Sequence, residues 1–228
     1  MNHLNPDRSL LRLLQLASPL LPVGGYSYSE GLELLVARGV IHDCETLQDW
    51  LVGELTVGSI RLETSALYRA YLAAQGGDID QIKDWNHWLS AVRETLELRQ
   101  QSWQMGGSLT KLLIELTPDL SALIDRIGTP CNYAIAFAIA AQHWQIDLDR
   151  IIISYLHTWA TNLISGGIKL IPLGQTAGQQ ILWDLQSTLD RTAHQIPHLT
   201  EDDLYSCSWG LSLASMQHET LYSRLFRS

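Results

Sequence analysis

Leu10, Leu11, Leu13, Leu14 and Leu16 cover a wide face of a short helix, which Pro6-Asp7-Arg8-Ser9 opens and Ser18-Pro19 stops. Leu20 and Leu21, followed by Pro22-Val23-Gly24-Gly25, predict an extended crossing. Beyond it Ser27 or Ser29 is placed to cap a second helix. Ser27 and Glu30 have capping-box spacing, Leu32, Leu35 and Val36 share one side, and Gly39 closes the segment. A third helix starts at Asp43, or at Thr46 with Asp49, and its apolar face of Leu47, Trp50, Leu51, Leu55 and Val57 is interrupted only by Glu54. Leu62 to Ala74 is rich in alanine and leucine and ends at Gly76-Gly77. Ile82, Trp85, Leu89 and Val92 then predict another amphipathic helix, capped by Asp78 or Asp80.

The run from Glu94 to Met105 is polar on most sides and reads as a solvated helix braced by pairs such as Arg93 and Glu97. Met105-Gly106-Gly107 interrupts it before Leu109, Leu112, Leu113 and Leu116 resume the pattern. A short helix around Leu120 to Ile127 precedes Gly128-Thr129-Pro130. Cys131 to Trp144, dominated by alanine with Ile135, Phe137 and Ile139, predicts a buried central helix, because small residues permit close approach. Asp147 or Asp149 caps the next, which carries Ile151, Ile152, Tyr155, Leu156, Trp159 and Leu163. A glycine- and proline-punctuated segment from Gly166 to Gln175 leads into a helix over Gln179 to Leu189, then a loop at His194 to His198. Thr200 and Asp203 hold capping-box positions, and Cys207 to Ala214 forms the last helix. The tail, 216–228, either stays mobile until a partner orders it or docks as a terminal helix with two exposed arginines. The alternation of a half-exposed sheet is missing throughout. The expectation is an all-α fold over 1–228, a single-domain globular bundle of roughly eight to eleven helices.

With 228 residues and no linker-like stretch, one domain suffices to bury a large core. A formal charge of −9 and the absence of a lysine or arginine cluster argue against a nucleic-acid footprint or an anionic-membrane surface. Cys44, Cys131 and Cys207 have neither metal-knuckle nor redox spacing, and no basic, apolar leader stands at the start, so the expected setting is cytoplasmic.

Candidate chemistry is sparse. Gly24-Gly25 and Gly166-Gly167-Ile168-Lys169 lack the spacing and preceding strand of a phosphate loop. Among eight histidines no pair has helical ligand spacing backed by a carboxylate base, since Pro197 separates His194 from His198. Whether the chain binds metal stays open, and imidazoles from two chains could meet at a subunit boundary. Ser27 and Ser29 have no base partner and read as caps, as do Asp147 and Asp149. Tyr26 and Tyr28 fall on opposite sides of an extended segment, so one is presented outward beside a fixed bend. If the tail is helical, Arg224 and Arg227 share a face while Leu225 and Tyr222 join Leu221 on an apolar one.

Four blocks carry a resemblance: LLQLASPLLPVGGYSYSEGLE from Leu13, Met105-Gly106 in a polar helix, IPLGQTAGQ from Ile171, and MQHETLYSRLFRS from Met216. In this order they resemble the urease accessory protein F family over essentially the whole chain. The resemblance implies an all-helical homodimer with no catalytic residues, no enzymatic activity and no cofactor of its own. It implies assembly with a D- or H-type accessory protein and with the G-type GTPase, which uses GTP and magnesium, so that nickel enters apo-urease. Pro19, Pro22, Gly24, Gly25, Tyr26, Ser27 and Glu30 match the first signature, with tyrosine at 26 where phenylalanine is frequent and glutamate at 30 where histidine is common. Pro172, Gly174 and Gln175 match the third, a candidate dimer or GTPase surface. His218, Glu219, Arg224, Leu225, Phe226, Arg227 and Ser228 match the terminal signature that engages the D/H-type partner, and Tyr222 lies within it. Thr129 replaces the histidine usual before that proline. The competing classes are a metal-dependent helical enzyme, suggested by the histidines and Asp147/Asp149, and a helical dimer with another client.

Overall fold

The fold is arranged around one apolar helix, α8 (Tyr133–His143), in which every residue from Tyr133 to Ala141 is buried. The computed structural model describes residues 6–222 and 224–227. The remaining helices, in chain order, are α1 (Pro6–Leu16), α2 (Leu32–Ala37), α3 (Cys44–Val57), α4 (Ser59–Gly76), α5 (Ile79–Val92), α6 (Leu96–Leu116), α7 (Ser121–Ile127), α9 (Leu148–Leu170), α10 (Gln175–Asp184), α11 (Gln186–Gln195) and α12 (Trp209–His218). Four short 3-10 turns join them, at Gly25–Ser27, Pro118–Leu120, Ile196–His198 and Glu201–Asp203. Among the described residues there is no strand, which agrees with the all-α expectation. The helices form one globular domain.

Alanine at 134, 136, 138, 140 and 141 lets α4 and α6 approach α8 closely, and α9 completes the shell. On α6, Gly106 faces the backbone of Cys131, Asn132 and Tyr133, so closely that a Cβ would collide with it. α6 therefore runs unbroken through Gly106-Gly107, where an interruption is expected from sequence: the glycine is there for contact, not for a turn. Gly166 and Gly167 likewise lie inside α9, with Gly167 against Leu47. The helix expected over 179–189 is two helices that meet at Leu185, which raises the number among the described residues to twelve.

Capping follows the acidic signals closely. Asp43 and Thr46 form a capping box on α3, Asp78 caps α5, and Asp147 caps α9 by accepting from the Arg150 N–H at 3.2 Å. At α2 the Ser27/Glu30 box does not form: the N-cap is Gly31 with φ 83° and the Ser27 hydroxyl donates to the Gly24 carbonyl at 2.7 Å, while the Ser29 hydroxyl accepts the Glu33 N–H of the first turn at 3.4 Å. Arg93 and Glu97 do not brace one another either. Arg93 is buried and paired with Glu63 of α4, and Glu97 turns to the C-terminal segment.

Candidate functional site

The first signature and the tail meet. Gly25–Ser27 is a 3-10 turn rather than an extended strand, entered through Gly24 at φ 74°, and it turns Tyr26 outward (70 % exposed) and Tyr28 inward (6 %). The buried Tyr28 hydroxyl donates to Gln104 at 2.6 Å, which ties the loop to α6. Pro19 and Pro22 lie exposed on the approach to this turn, next to Leu20, whose side chain is almost wholly in solvent.

From the other end of the sequence, α12 lays Ala214 and Ser215 on Gly31, where a Cβ would come within 3.1 Å of both residues. His218, the last residue of α12, is wholly buried between two carboxylates, with Nε2 3.1 Å from Glu33 and Nδ1 3.2 Å from Glu97. A neutral imidazole has one donor, so only the imidazolium donates to both. The Glu33 carboxylate also accepts the backbone N–H of Leu225 at 2.6 Å and of Phe226 at 3.0 Å, and the Ser27 carbonyl accepts that of Arg227 at 2.8 Å. The Phe226 ring packs toward Gly166 and Leu32, with the Lys169 ammonium 5.9 Å from its centre. Arg224 reaches Glu97 at 3.3 Å. Burial raises the Glu97 carboxyl above its usual range, while His218 and Arg224 pull the other way.

The tail is thus docked, but not as the terminal helix expected from sequence: α12 ends at His218, the described residues beyond it form turns and bends, and Arg224 and Arg227 share no helical face. His218 and Phe226 face inward as its anchors, which removes their side chains from the surface in this conformation. Glu219, Tyr222, Arg224, Leu225 and Arg227 are exposed, and the Arg227 backbone bond to Ser27 brings the tail to the turn that carries Tyr26. Ser223 and Ser228 lie outside the described residues. Pro172, Gly174 and Gln175 form the exposed turn between α9 and α10, apart from the tail's hydrogen bonds. Trp209, Leu213 and Met216 add an exposed apolar face on α12, a feature legible from their four- and three-residue spacing.

Behind the turn lies a cavity of about 40 Å³, walled by Gly25, Tyr28, Glu30, Arg93, Tyr155 and Trp159. Glu30, at φ 53°, accepts from Gln101 at 2.9 Å and from the Trp159 indole at 3.0 Å. Alongside it Glu63 is paired with Arg93 and accepts from the Tyr155 hydroxyl at 2.6 Å. Burial lowers the Arg93 guanidinium and raises the Tyr133 and Tyr155 phenols, so Tyr155 is held as a neutral donor to Glu63. Glu33 and Glu63 carry no role in the sequence pattern, and Glu97 reads there only as a helix brace. Charges inside apolar runs, such as Glu63 between Leu62 and Ala66, were the available signal.

Among the described residues, which exclude His3, a metal site or catalytic constellation does not assemble from the candidates. Asp147 is a helix cap and Asp149 is exposed beside it. His194 is exposed and bonds within its own helix, Nδ1 to the Asp190 carbonyl at 2.8 Å. Among the described residues no group of three or more His, Cys, Asp or Glu is arranged to hold an ion. Also among them, no helix is long and apolar enough to cross a membrane.

The UreF family model matches residues 41–186. A urease accessory protein UreF of Trichormus variabilis is 56% identical over 222 residues, 97% of each chain, and that of a Nostoc species is 57% identical over the same length. The chain belongs to the UreF family. The likeness extends well beyond these two, since a protein of the same name from Alkalilimnicola ehrlichii is 40% identical over 98% of each chain. These relatives bear the name of an accessory protein, not of an enzyme, and UreF membership carries a role in urease maturation.

Proposed function

We propose that this UreF-family chain is a non-enzymatic scaffold of urease maturation, a cytoplasmic homodimer that joins a D- or H-type accessory protein and the G-type GTPase. Its work is geometric. It holds the GTPase, with its GTP and magnesium, near apo-urease and couples the nucleotide state to release of nickel, the cargo, into the enzyme. Binding energy is then used on a partner's conformational equilibrium, and a catalytic constellation in this chain is not needed.

The observation that supports this reading is the clip between the Gly25–Ser27 turn and the tail. Two segments nearly two hundred residues apart are fixed together by buried anchors, and between them they hold Tyr26, Tyr222, Arg224, Leu225 and Arg227 outward. Exposed aromatic and arginine side chains on a rigid support are the usual anchors of a protein interface. Trp209, Leu213 and Met216 expose a further apolar face on α12.

The test is co-purification with the D/H-type and G-type partners, with and without a GTP analogue and nickel, read by mass and metal content. A stable complex, weakened by Tyr222→Ala combined with Leu225→Ala at unchanged melting temperature, is the expected result. Unchanged assembly by the double variant removes this surface from the interface, and a chain that assembles with neither partner rejects the scaffold itself.

A further inference from the structure

The cavity behind the Gly25–Ser27 turn has a vestibule. Ala17, Pro19, Leu21, Val23 and Tyr26 form the apolar side of an open pocket of about 250 Å³, and Gly25, Tyr133, Thr158 and Asn162 line both this pocket and the inner chamber, so they make the partition between the two. Gly25 is glycine there for space, since its φ is ordinary. A Cβ on it would stand 3.0 Å from the Asn162 amide nitrogen and 3.4 Å from the Met105 methyl. Both atoms end side chains that can shift, so glycine leaves the partition passable where alanine narrows it.

The inner chamber is lined by one carboxylate more than it has cations. Arg93 feels the Glu30 charge, but its ion pair is with Glu63, and the hydrogen bonds that reach Glu30 come from neutral groups, Gln101 and Trp159. Beyond the lining, Glu94, bonded to Ser206, and Arg99, bonded to the Arg93 carbonyl, add one charge of each sign. The vestibule has no charged lining residue to offset the excess, because burial lowers the His157 imidazole. At the partition, Tyr133 is buried, at 7 % exposure, and burial keeps its phenol neutral. Among the described residues neither its hydroxyl nor the Asn162 amide makes a hydrogen bond. A divalent ion is poorly matched, since no group of three or more His, Cys, Asp or Glu is arranged among the described residues to hold one.

We propose that this site takes the side chain of a lysine on a protein partner, its methylene stem in the vestibule and its ammonium at the partition against Glu30. An ammonium brings three donors, and Glu30, the Tyr133 oxygen and the Asn162 amide oxygen are acceptors for them. A guanidinium brings five in a rigid fork and would leave donors unmet. Long basic side chains favour an arrangement in which the stem covers apolar surface while the head reaches a polar end. Tyr26, the exposed aromatic of the candidate partner surface, lines the vestibule, which puts the lysine at that interface. The inference rests on reading that surface as one that meets a protein.

The test titrates the full, isotope-labelled chain at neutral pH with a blocked pentapeptide, one lysine flanked by two glycines on each side. Binding is followed by proton–nitrogen NMR at the Trp159 indole N–H, which donates to Glu30. Wild type gives a saturable shift that is absent with norleucine in place of lysine and about fivefold weaker with arginine. Glu30→Gln, which keeps the shape of the side chain and removes its charge, weakens binding about tenfold or more. Gly25→Ala weakens it about fivefold while lowering stability less than Gly24→Ala does. If Glu30→Gln fails to fold, Gly25→Ala decides. No saturable shift, equal binding of the norleucine or arginine peptide, or wild-type affinity in Gly25→Ala overturns the proposal. Free n-butylammonium binding more tightly than the peptide overturns the assignment to a partner's lysine. Lysine-peptide binding by a chain that assembles with neither accessory protein rejects the scaffold reading and leaves this site standing for another lysine-bearing protein.

Discussion

Glu33 and Phe226 are joined by a hydrogen bond of 3.0 Å from the Phe226 backbone N–H to the Glu33 carboxylate, across 193 positions of sequence. The same carboxylate takes Leu225 and the His218 imidazole, so one acidic side chain at the start of α2 organises the whole C-terminal segment. Replacing it by alanine leaves a buried imidazole and two backbone donors without their acceptor. Glu33→Ala should cost about 2–4 kcal/mol. It should also raise hydrogen exchange at residues 216–227 while α8 stays protected. Unaltered exchange across the tail would show that Glu33 is not what holds it.

Glu54 is the group whose ionisation should be felt most in stability. Burial raises its carboxyl from an ordinary 4.5 to about 7, against a lowering hydrogen bond from Ser208. A raised acid binds its proton more tightly in the folded state, so its stabilising contribution is complete below pH 4.5 and is lost as pH rises through about 7. The full span is about 3 kcal/mol. Urea unfolding of Glu54→Gln should therefore show a flatter dependence between those limits and a gain over wild type at pH 8. Parallel pH curves for the two proteins would rule this out.

Gly106 and Gly107 are neighbours in α6 with opposite demands. A Cβ at Gly106 meets the backbone of Cys131 to Tyr133, whereas at Gly107 nothing lies within 4 Å. Gly106→Ala should lose several kcal/mol or fail to fold, as overpacking against main chain does. Gly107→Ala should gain about 0.5–1 kcal/mol from helix propensity. Thermal melts of the pair check both signs, and similar values would mean that α6 and α8 are not in close contact.

In the first signature the special backbone belongs to Gly24 and not to Gly25. Gly24 has φ 74°, so Gly24→Ala should cost about 1 kcal/mol. Gly25 has an ordinary φ, and its alanine would meet only the Asn162 amide at 3.0 Å and the Met105 methyl at 3.4 Å, both at side-chain ends able to shift. Gly25→Ala should be the milder of the two in a denaturant titration, and the reverse order would relocate the constraint.

Much of the fold was legible because long amphipathic helices and acidic caps are local signals. The Ile82 to Val92 spacing, the alanine run of α8 and the Asp43, Asp78 and Asp147 caps all follow from residues within a turn of one another. Glycines misled where their reason was non-local. Gly106 and Gly167 look like breaks in one dimension and prove to be contacts with Cys131–Tyr133 and Leu47. Of the site, the outward tyrosine followed from the bend, but its identity did not, since a 3-10 turn and a strand of the same residues point Tyr26 and Tyr28 differently. The tail's anchors were the least legible. His218 and Phe226 read as surface groups until Glu33, Glu97 and Gly166, all remote in sequence, supplied a buried acceptor and a place for a ring.

The Glu33 clip also sets an order of events during synthesis. Until residues 218 to 227 have left the ribosome, Glu33 lacks the three donors it holds in the finished fold, and the site that takes the Phe226 ring beside Gly166 stands uncovered. The nascent helices can assemble around α8 before that moment, but the surface bearing Tyr26 cannot mature. A chain interrupted before residue 218 would then be helical, and yet carry a bare carboxylate at Glu33 and an open apolar slot beside Gly166.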